Sequence, residues 1–371
     1  MIKLKKWLYL LGILVILVLL PVVPALAQPY VSASHYCLID STNGQIILAQ
    51  EADERRPVAS TTKMMTAILA VEYCDLHEIA EVSPNADQTP EYTIGLRAGQ
   101  KISVEELLKI SLIRSANDAA VVLAEHIAGD ERFFGHLMSK KAWVIGATNT
   151  HFVNASGLPH DEHYSSAYDL TIIGRYLLAN DYLSRLVATK ETEFKHPGYK
   201  QPMIINNTNS LLRTYPGADG IKTGTTNAAG KCLIASATRN GRQLIAVSLK
   251  SQDRFGDCAR LLNYGFKSSP TLIIDKNVPF KELRINNGNS SHIKIYPAED
   301  VYIWQVEGNP KIERKVEMQY LIEAPVLKGS KMGILNLYVN GKLYNSIDLI
   351  TREDVKRKHS LLKRLIDLLS N

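Results

Sequence analysis

No Cys-x-x-Cys pair occurs in this 371-residue chain, and no histidine cluster accompanies its four cysteines, Cys37, Cys74, Cys232 and Cys258. A zinc site is therefore not expected from the sequence, and no motif calls for a metal or a cofactor. Internal repeats and low-complexity linkers are also missing, which argues against a solenoid and against a disordered chain. With 46% hydrophobic and 22% charged residues, the composition is that of a globular protein long enough for two ordinary domains. An excess of positive charge is missing where it would matter. Of 43 Lys/Arg and 37 Asp/Glu, residues 1–27 hold three Lys and no acid, and residues 351–371 hold six basic and three acidic groups. The remaining body has 34 of each. A neutral body lacks the basic face that nucleic acid requires, so no nucleic-acid partner is expected.

A long apolar run is present only at the start. Lys3, Lys5 and Lys6 precede the uncharged stretch from Trp7 to Leu20, and Pro24-Ala25-Leu26-Ala27 follows. This order reads as a secretory signal peptide, residues 1–27, cut after Ala27. The alternative is an uncleaved anchor, whose core sits near the short end of the roughly 17–25 residues that span a bilayer. Either reading delivers the rest of the chain outside the cytoplasm, at the extracytoplasmic face of the membrane or in the wall. That compartment permits one or two disulfides. Buried free thiols are the favoured reading, since cysteine packs as a small hydrophobe.

Beyond the leader, apolar runs Tyr36–Ile39 and Gln45–Ala49 flank Ser41-Thr-Asn-Gly44, a hairpin signal. Helical periodicity follows over Thr61–Tyr73, a capping box is expected at Ser103-Val-Glu-Glu106, and helices are expected over Asn117–Ile127 and Glu131–Val144. Strand character returns after Gly220, with Leu233–Thr238 and Gln243–Leu249 around Arg239-Asn-Gly-Arg242. Phe255–Phe266 reads as a helix. Strands, a helical insert, strands and a helix predict an α+β fold: an antiparallel sheet built from distant segments with helices packed on it. From Pro270 short alternating runs predict a small all-β domain over 270–350. In 351–371, Val355, Leu362, Ile366 and Leu369 repeat along one stripe with basic residues mostly off it. This predicts an amphipathic helix lying on a membrane surface, against the alternative of a helix docked on the β domain.

Three short motifs carry chemistry: Ser60-Thr-Thr-Lys63, Ser115-Ala-Asn117 and Lys222-Thr-Gly224. The first two are weak alone, because Ser291-His-Ile-Lys294 and Ser83-Pro-Asn85, among others, match them too. Context separates the chosen set. Ser60 opens an apolar helix, Ser115 lies between helical segments, and the one Lys-Thr-Gly precedes a strand pair. Positions i and i+3 share a helix face, so Lys63 reaches the Ser60 hydroxyl. A serine needs a base to act as a nucleophile. A lysine serves as that base when burial and a second cation, here Lys222, lower its pKa. The positive end of the helix and backbone donors at Ser60 and Thr225 would stabilise an oxyanion.

These motifs resemble those of serine penicillin-recognising enzymes. The chain is similar to the D-alanyl-D-alanine carboxypeptidase family of low-molecular-mass penicillin-binding proteins. The likeness runs through Pro57–Thr66, Ser115–Ala120, Phe152–Leu158, His163–Leu170, Gly217–Thr226, Ala229–Leu233 and Leu261–Phe266 into the β domain at Ala324–Gly329. It implies a beta-lactamase/transpeptidase-like fold, with a serine DD-peptidase catalytic domain over 28–269. It implies Ser60 as nucleophile, Lys63 as base, Ser115 as proton relay beside Lys222, and Asn117 orienting Lys63 and bonding the substrate backbone. Thr223, Gly224, Thr225 and Arg254 would bind substrate, with Thr223 and Arg254 on its terminal carboxylate. The implied partners are peptidoglycan stem peptides, beta-lactam antibiotics and, through the tail, a membrane surface. Some members have His after Lys-Thr-Gly, whereas Thr225 stands here; a backbone donor role survives that exchange. His151 and His163 are expected to be structural.

Three rival readings stand beside this one, among them endopeptidase or transpeptidase activity in the same site, where the acceptor, water or an amine, depends on groove shape. A beta-lactamase would use a Glu acting through water for deacylation, in an E-x-x-x-N segment. Glu125, Glu131, Glu162, Glu191 and Glu193 are each followed four positions later by another residue. A non-catalytic sensor on the same scaffold is disfavoured by the intact Ser60, Lys63 and Lys222.

Overall fold

Side-chain alternation along the first strand decides the layering. In β1 (His35–Asp40), Cys37 and Ile39 join one apolar cluster while Tyr36 and Leu38 join another, as the two-residue period of a strand requires. Both faces of the sheet must therefore be covered by helices. The computed structural model describes residues 28–268, 270–304, 311–339 and 341–358. The expected leader, 1–27, lies outside them.

β1 turns at Ser41–Gly44 into β2 (Ile46–Gln50), as the hairpin signal predicts. A 3-10 turn, Ala59–Thr62, leads into α1 (Lys63–Tyr73). β3 (Ile79–Glu81), α2 (Pro84–Asp87) and β4 (Lys101–Ser103) follow. Then come α3 (Val104–Lys109), α4 (Asn117–Ala128), α5 (Glu131–Val144), α6 (Ala167–Leu178) and α7 (Asp181–Ala188). A hairpin of β5 (Glu191–Phe194) and β6 (Met203–Asn206) and the short α8 (Leu211–Thr214) precede β7 (Ala218–Thr226), β8 (Gly230–Arg239) and β9 (Arg242–Ser251). Helix α9 (Arg254–Lys267) closes this part. Ser103 caps α3 by accepting from the Glu106 N–H, but the return contact of a capping box is absent. The Glu106 carboxylate accepts from Lys109 Nζ and the Lys195 N–H instead.

The main sheet is antiparallel throughout, in the order β2-β1-β9-β8-β7. β1 pairs with β9 from His35 opposite Leu249 to Asp40 opposite Leu244, so chain segments far apart in sequence meet, as expected. Leu170, Ile173 and Leu177 of α6 cover one face; Cys258, Leu261 and Leu262 of α9 cover the other. β7, which holds Lys222-Thr-Gly224, is an edge strand, with its outer side turned toward the 3-10 turn that bears Ser60. All four cysteines are free, and Cys37, Cys232 and Cys258 are buried.

One buried carboxylate ties three segments together. Asp257 in the first turn of α9 is fully buried and accepts from the N–H groups of Ser32 and Ala33, the Ser32 and Ser251 hydroxyls and Arg260. Burial opposes its ionisation, but these donors outweigh burial and hold the carboxyl below the ordinary range.

The β-rich part has its own apolar core, including Ile293, Ile295, Leu335, Leu337 and Leu349. Its strands are β10 (Thr271–Ile274), β11 (Lys281–Asn286), β12 (His292–Pro297), β13 (Val301–Ile303), β14 (Ile312–Met318), β15 (Ile322–Glu323), β16 (Lys331–Val339) and β17 (Lys342–Thr351). Six of them form a sheet in the order β14-β16-β17-β12-β11-β15, and β10 pairs with β13. The two parts are joined at Gln45, whose side chain accepts from Trp304 N–H and donates to Trp304 C=O, while Arg242 stacks 4.0 Å over the indole.

The tail departs from expectation. The helix predicted from residue 351 is absent at least to 358, which stays extended. Val355, placed on the helical stripe by sequence, is 2% exposed in the β core and exchanges both backbone bonds with Val326. Asn289 N–H donates to the Lys356 carbonyl while Lys356 N–H donates to Asn289 Oδ1, and Lys358 N–H donates to the Asn287 carbonyl. Main-chain partners offered by the β domain override a local helical period. Residues 359–371, where the rest of the expected helix falls, lie outside the described residues.

Asp257→Ala should lower stability by about 3 kcal/mol at neutral pH, because several buried donors lose their acceptor. A carboxyl depressed in the native state stabilises above its unfolded value, about 3.9, and that contribution fades as pH falls through the native value. The urea midpoint difference between variant and parent is therefore expected to shrink below about pH 4.

Candidate active site

Ser60 stands half-buried in the 3-10 turn at the start of α1. The turn is tight: Ala59 has φ +51°, in the left-handed region. Gly157, at φ +86°, packs so closely that a Cβ there would overlap the Ala59 carbonyl. Gly224 of β7 approaches from the other side. A Cβ on it would lie 3.0 Å from Val58 O and 3.1 Å from the Ser60 nitrogen. Glycine at 224 thus lets an edge strand run against the turn that bears Ser60, bringing Thr225 beside it.

Lys63, one turn along, is wholly buried. Its Nζ lies 3.0 Å from Ser60 Oγ, 2.6 Å from Asn117 Oδ1 and 2.7 Å from Ser156 O. Burial, then the positive charge of Lys222, push its pKa well below the usual lysine value, against weaker opposition from Asp118 and Glu131. Asn117 reaches Lys63 with its oxygen and donates through Nδ2 to the carbonyls of Glu91 and Pro90. Both ends of its amide are engaged with protein, so its oxygen is held against Lys63 Nζ.

Ser115 follows a π-type turn, Ile110–Arg114, and takes the left-handed conformation at φ +73° before α4 begins. That bend turns it toward β7. Lys222 Nζ, itself buried, lies 2.9 Å from Ser115 Oγ and 3.1 Å from Thr223 O. Burial, then the charge of Arg254, push Lys222 down to about 7. Thr223 Oγ1 is 2.6 Å from Thr208 Oγ1. Arg254 donates to Thr225 Oγ1 at 2.7 Å and to Gly224 O at 2.9 Å.

All nine residues singled out by sequence therefore fall around one place. Ser60, Ser115, Thr223, Gly224, Thr225 and Arg254 line a cleft of about 290 Å³ with Lys63, Asn117 and Lys222 packed about it. Tyr92, Thr93, Arg114 and Thr208 also line it and had no motif to announce them. The Ser156 carbonyl was equally silent, because a backbone acceptor has no residue signature. A larger groove of about 890 Å³, lined by Asp53, Asn149, Tyr168 and Arg175 among others, holds none of these groups. Chemistry, not size, selects the smaller cleft. His163 is buried, bonded to Thr62 Oγ1 through Nε2 and to the Val153 N–H through Nδ1, and pushed down to about 3 by burial. A neutral ring satisfied on both nitrogens is structural. His151 uses Nδ1 on the Glu162 carbonyl.

Residues 23–253 match the family described as D-alanyl-D-alanine carboxypeptidase, and residues 269–357 match the C-terminal domain of penicillin-binding protein 5. The chain is 32% identical over 331 residues to the D-alanyl-D-alanine carboxypeptidase DacF of Bacillus subtilis, covering 86% of this chain and 85% of that one. Its fold matches penicillin binding protein 5 from Haemophilus influenzae with a TM-score of 0.69 at 27% identity, covering 90% of this chain and 100% of the other. Penicillin-binding protein D2 from Listeria monocytogenes, solved in an ampicillin-bound form, matches with a TM-score of 0.57 at 29% identity, over 64% and 99%.

The buried lysine leaves a signature in stability. Lys222 binds its proton less tightly in the native state than the roughly 10.4 of a free lysine. Between about 7 and that value the unfolded chain holds more protons, so native stability rises with pH across this window. Urea midpoints of Lys222→Met and the parent, compared at pH 6, 8 and 9.5, should show a steeper rise in the parent than in the variant, where the buried Lys63 alone still contributes.

Proposed function

The chain belongs to the serine-type D-alanyl-D-alanine carboxypeptidase family, and from that premise we propose that it removes the terminal D-alanine of peptidoglycan pentapeptides through an acyl-enzyme on Ser60. The observation that carries this reading is the Lys63–Ser60 contact of 3.0 Å, made by a buried lysine that Lys222 helps to keep neutral.

A neutral Lys63 has two N–H groups and one lone pair. Asn117 Oδ1 and Ser156 O accept the two protons, which leaves the lone pair for the Ser60 hydroxyl. Ser60 Oγ attacks the carbonyl carbon between the two D-alanines as its proton passes to Lys63. The resulting oxyanion accepts from the N–H groups of Ser60 and Thr225, beside the positive end of α1. The C–N bond then breaks. The leaving nitrogen takes a proton through the Ser115 hydroxyl, which Lys222 holds, and D-alanine departs. Water attacks the ester, gives a proton back along the same groups, and releases the shortened peptide with Ser60 restored. Thr223 and Arg254 supply a hydroxyl and a positive charge for the terminal carboxylate, and Gly224 keeps the strand close enough for both.

Penicillins would enter the same chemistry, with Ser60 opening the lactam amide. Among the described residues no carboxylate lines the cleft, which supports slow release of that ester and disfavours a lactamase. The domain limits that accompany this reading are 28–269 for catalysis and 270–350 for the β-rich part. Export behind residues 1–27 and attachment of residues 359–371, the part of the tail beyond the segment docked on the β domain, to a membrane surface complete it. Among the described residues no helix is long and apolar enough to cross a membrane.

Mass spectrometry of a pentapeptide ending in D-Ala-D-Ala should show loss of one alanine with the parent and none with Ser60→Ala, which should also fail to take a fluorescent penicillin. Lys63→Ala should slow acylation by about 100- to 10,000-fold, the usual worth of a positioned base. A parent that takes no label would be a sensor, and one that consumes penicillin steadily would be a lactamase.

A further inference from the structure

Sequence spacing gave no reason to expect a metal, yet the fold assembles three metal-binding side chains away from the cleft. We propose that Cys74, Glu78 and His126 form a site for a zinc-class divalent cation, which staples together the far ends of the two helices that carry Lys63 and Asn117.

The three donors come from separate elements. Cys74 caps the C-terminus of α1, its N–H bonded to Ala70 O at 3.0 Å. His126 sits in the last turn of α4. Glu78 lies in the connection that leads from α1 into β3. The thiol sulfur, a carboxylate oxygen and a ring nitrogen all lie within 4.8 Å of one another, and His126 Nε2 is 3.2 Å from Glu78 Oε2. Zinc bonds of about 2.0–2.3 Å in tetrahedral array place neighbouring donors roughly 3.5 Å apart. Small side-chain rotations would therefore close this set around an ion.

Three further features favour a cation. Two helix C-termini, each with outward carbonyls of partial negative charge, converge on the point. Glu78 is already oriented from outside, because its second oxygen accepts from the Asp75 N–H at 2.6 Å. Such outer contacts are what hold metal ligands in register. The connection is pinned by Val104 N–H on Glu78 O and Glu105 N–H on Leu76 O, both 2.9 Å. Side-chain exposures of 46% at Glu78 and 23% at His126 leave room for a water as fourth ligand. Cys74 is also the one cysteine of the four that is not buried.

Without metal, His126 pairs with Glu78, and burial and the Glu78 charge keep Cys74 a protonated thiol. On binding, the sulfur–metal bond forms as the thiol proton leaves to water, and His126 coordinates through Nε2 with its proton on Nδ1. No electron is transferred. Cys74 lies about 16 Å along the helix axis from Lys63, at 1.5 Å per residue, so the ion is structural and touches no reacting atom.

Titration of the reduced full chain with Co²⁺ tests the site. One equivalent should produce a thiolate-to-cobalt charge-transfer band and four-coordinate d–d bands, both removed by Zn²⁺, and Zn²⁺ should raise the thermal midpoint. Cys74→Ser should abolish the charge-transfer band, and Glu78→Gln and His126→Gln should each weaken binding at least tenfold, with far-ultraviolet circular dichroism confirming that each variant is folded. Absence of the band in the parent, its persistence in Cys74→Ser, or unchanged affinity in folded Glu78→Gln overturns the proposal.

Discussion

Two lysine side chains buried at one cleft, each against its own serine hydroxyl, are the constraint to which the catalytic part is fitted. An isolated cation in a dry site is costly, and proteins meet that cost by pairing the group or letting it lose its proton. Among the described residues no carboxylate bonds Lys63 directly: an amide oxygen, a backbone carbonyl and the Ser60 oxygen surround it. Such a shell tolerates the neutral amine, and the charge of Lys222 adds to the pressure against protonation. Arg254 acts in turn on Lys222. Ser60 thus stands at the end of a graded row of basic side chains that begins at the half-exposed Arg254 and ends at the sealed Lys63.

Such a row forms only if distant backbones approach closely. Ser60 belongs to the start of a helix, Ser115 to a bend between helices, and Lys222 to a sheet edge. Gly157 and Gly224 are where those backbones nearly touch, and a methyl group at either position would separate them. The sheet supplies the rigidity. β1 comes from the start of the described chain and β9 from the end of the catalytic part, and their pairing closes the helical insert into a loop that must return to its origin.

The sequence made the reacting groups legible because they are side chains at fixed spacing on strongly patterned elements. Alternation and helical period also located the main strands, and α5 begins and ends at Glu131 and Val144 as its periodicity predicts. What escaped notice had no pattern to show. β11 carries just two buried apolar residues, Leu283 and Ile285, among polar ones. The Ser156 carbonyl is main chain. Thr208 and Arg114 reach the cleft only because the β5–β6 hairpin and the bend before Ser115 bring them there. At Val355 the pattern misled, since a residue every third or fourth position suits a helix but the β domain offered it main-chain partners first. Cys74 and His126 share no sequence motif; a helix end apiece sets them side by side.

Placing the Lys-Thr-Gly run on the outermost strand of the sheet leaves one row of main-chain donors and acceptors facing the cleft. An extended peptide laid there would be held by its backbone more than by its side chains. Main-chain contacts are blind to residue identity, so under the proposed function an antibiotic that imitates the backbone would meet the same row as the peptide. Under that reading, resistance would be hard to reach by exchanging cleft side chains alone. It calls for a shift of the strand itself, and the tight approach at Gly224 leaves little freedom for that.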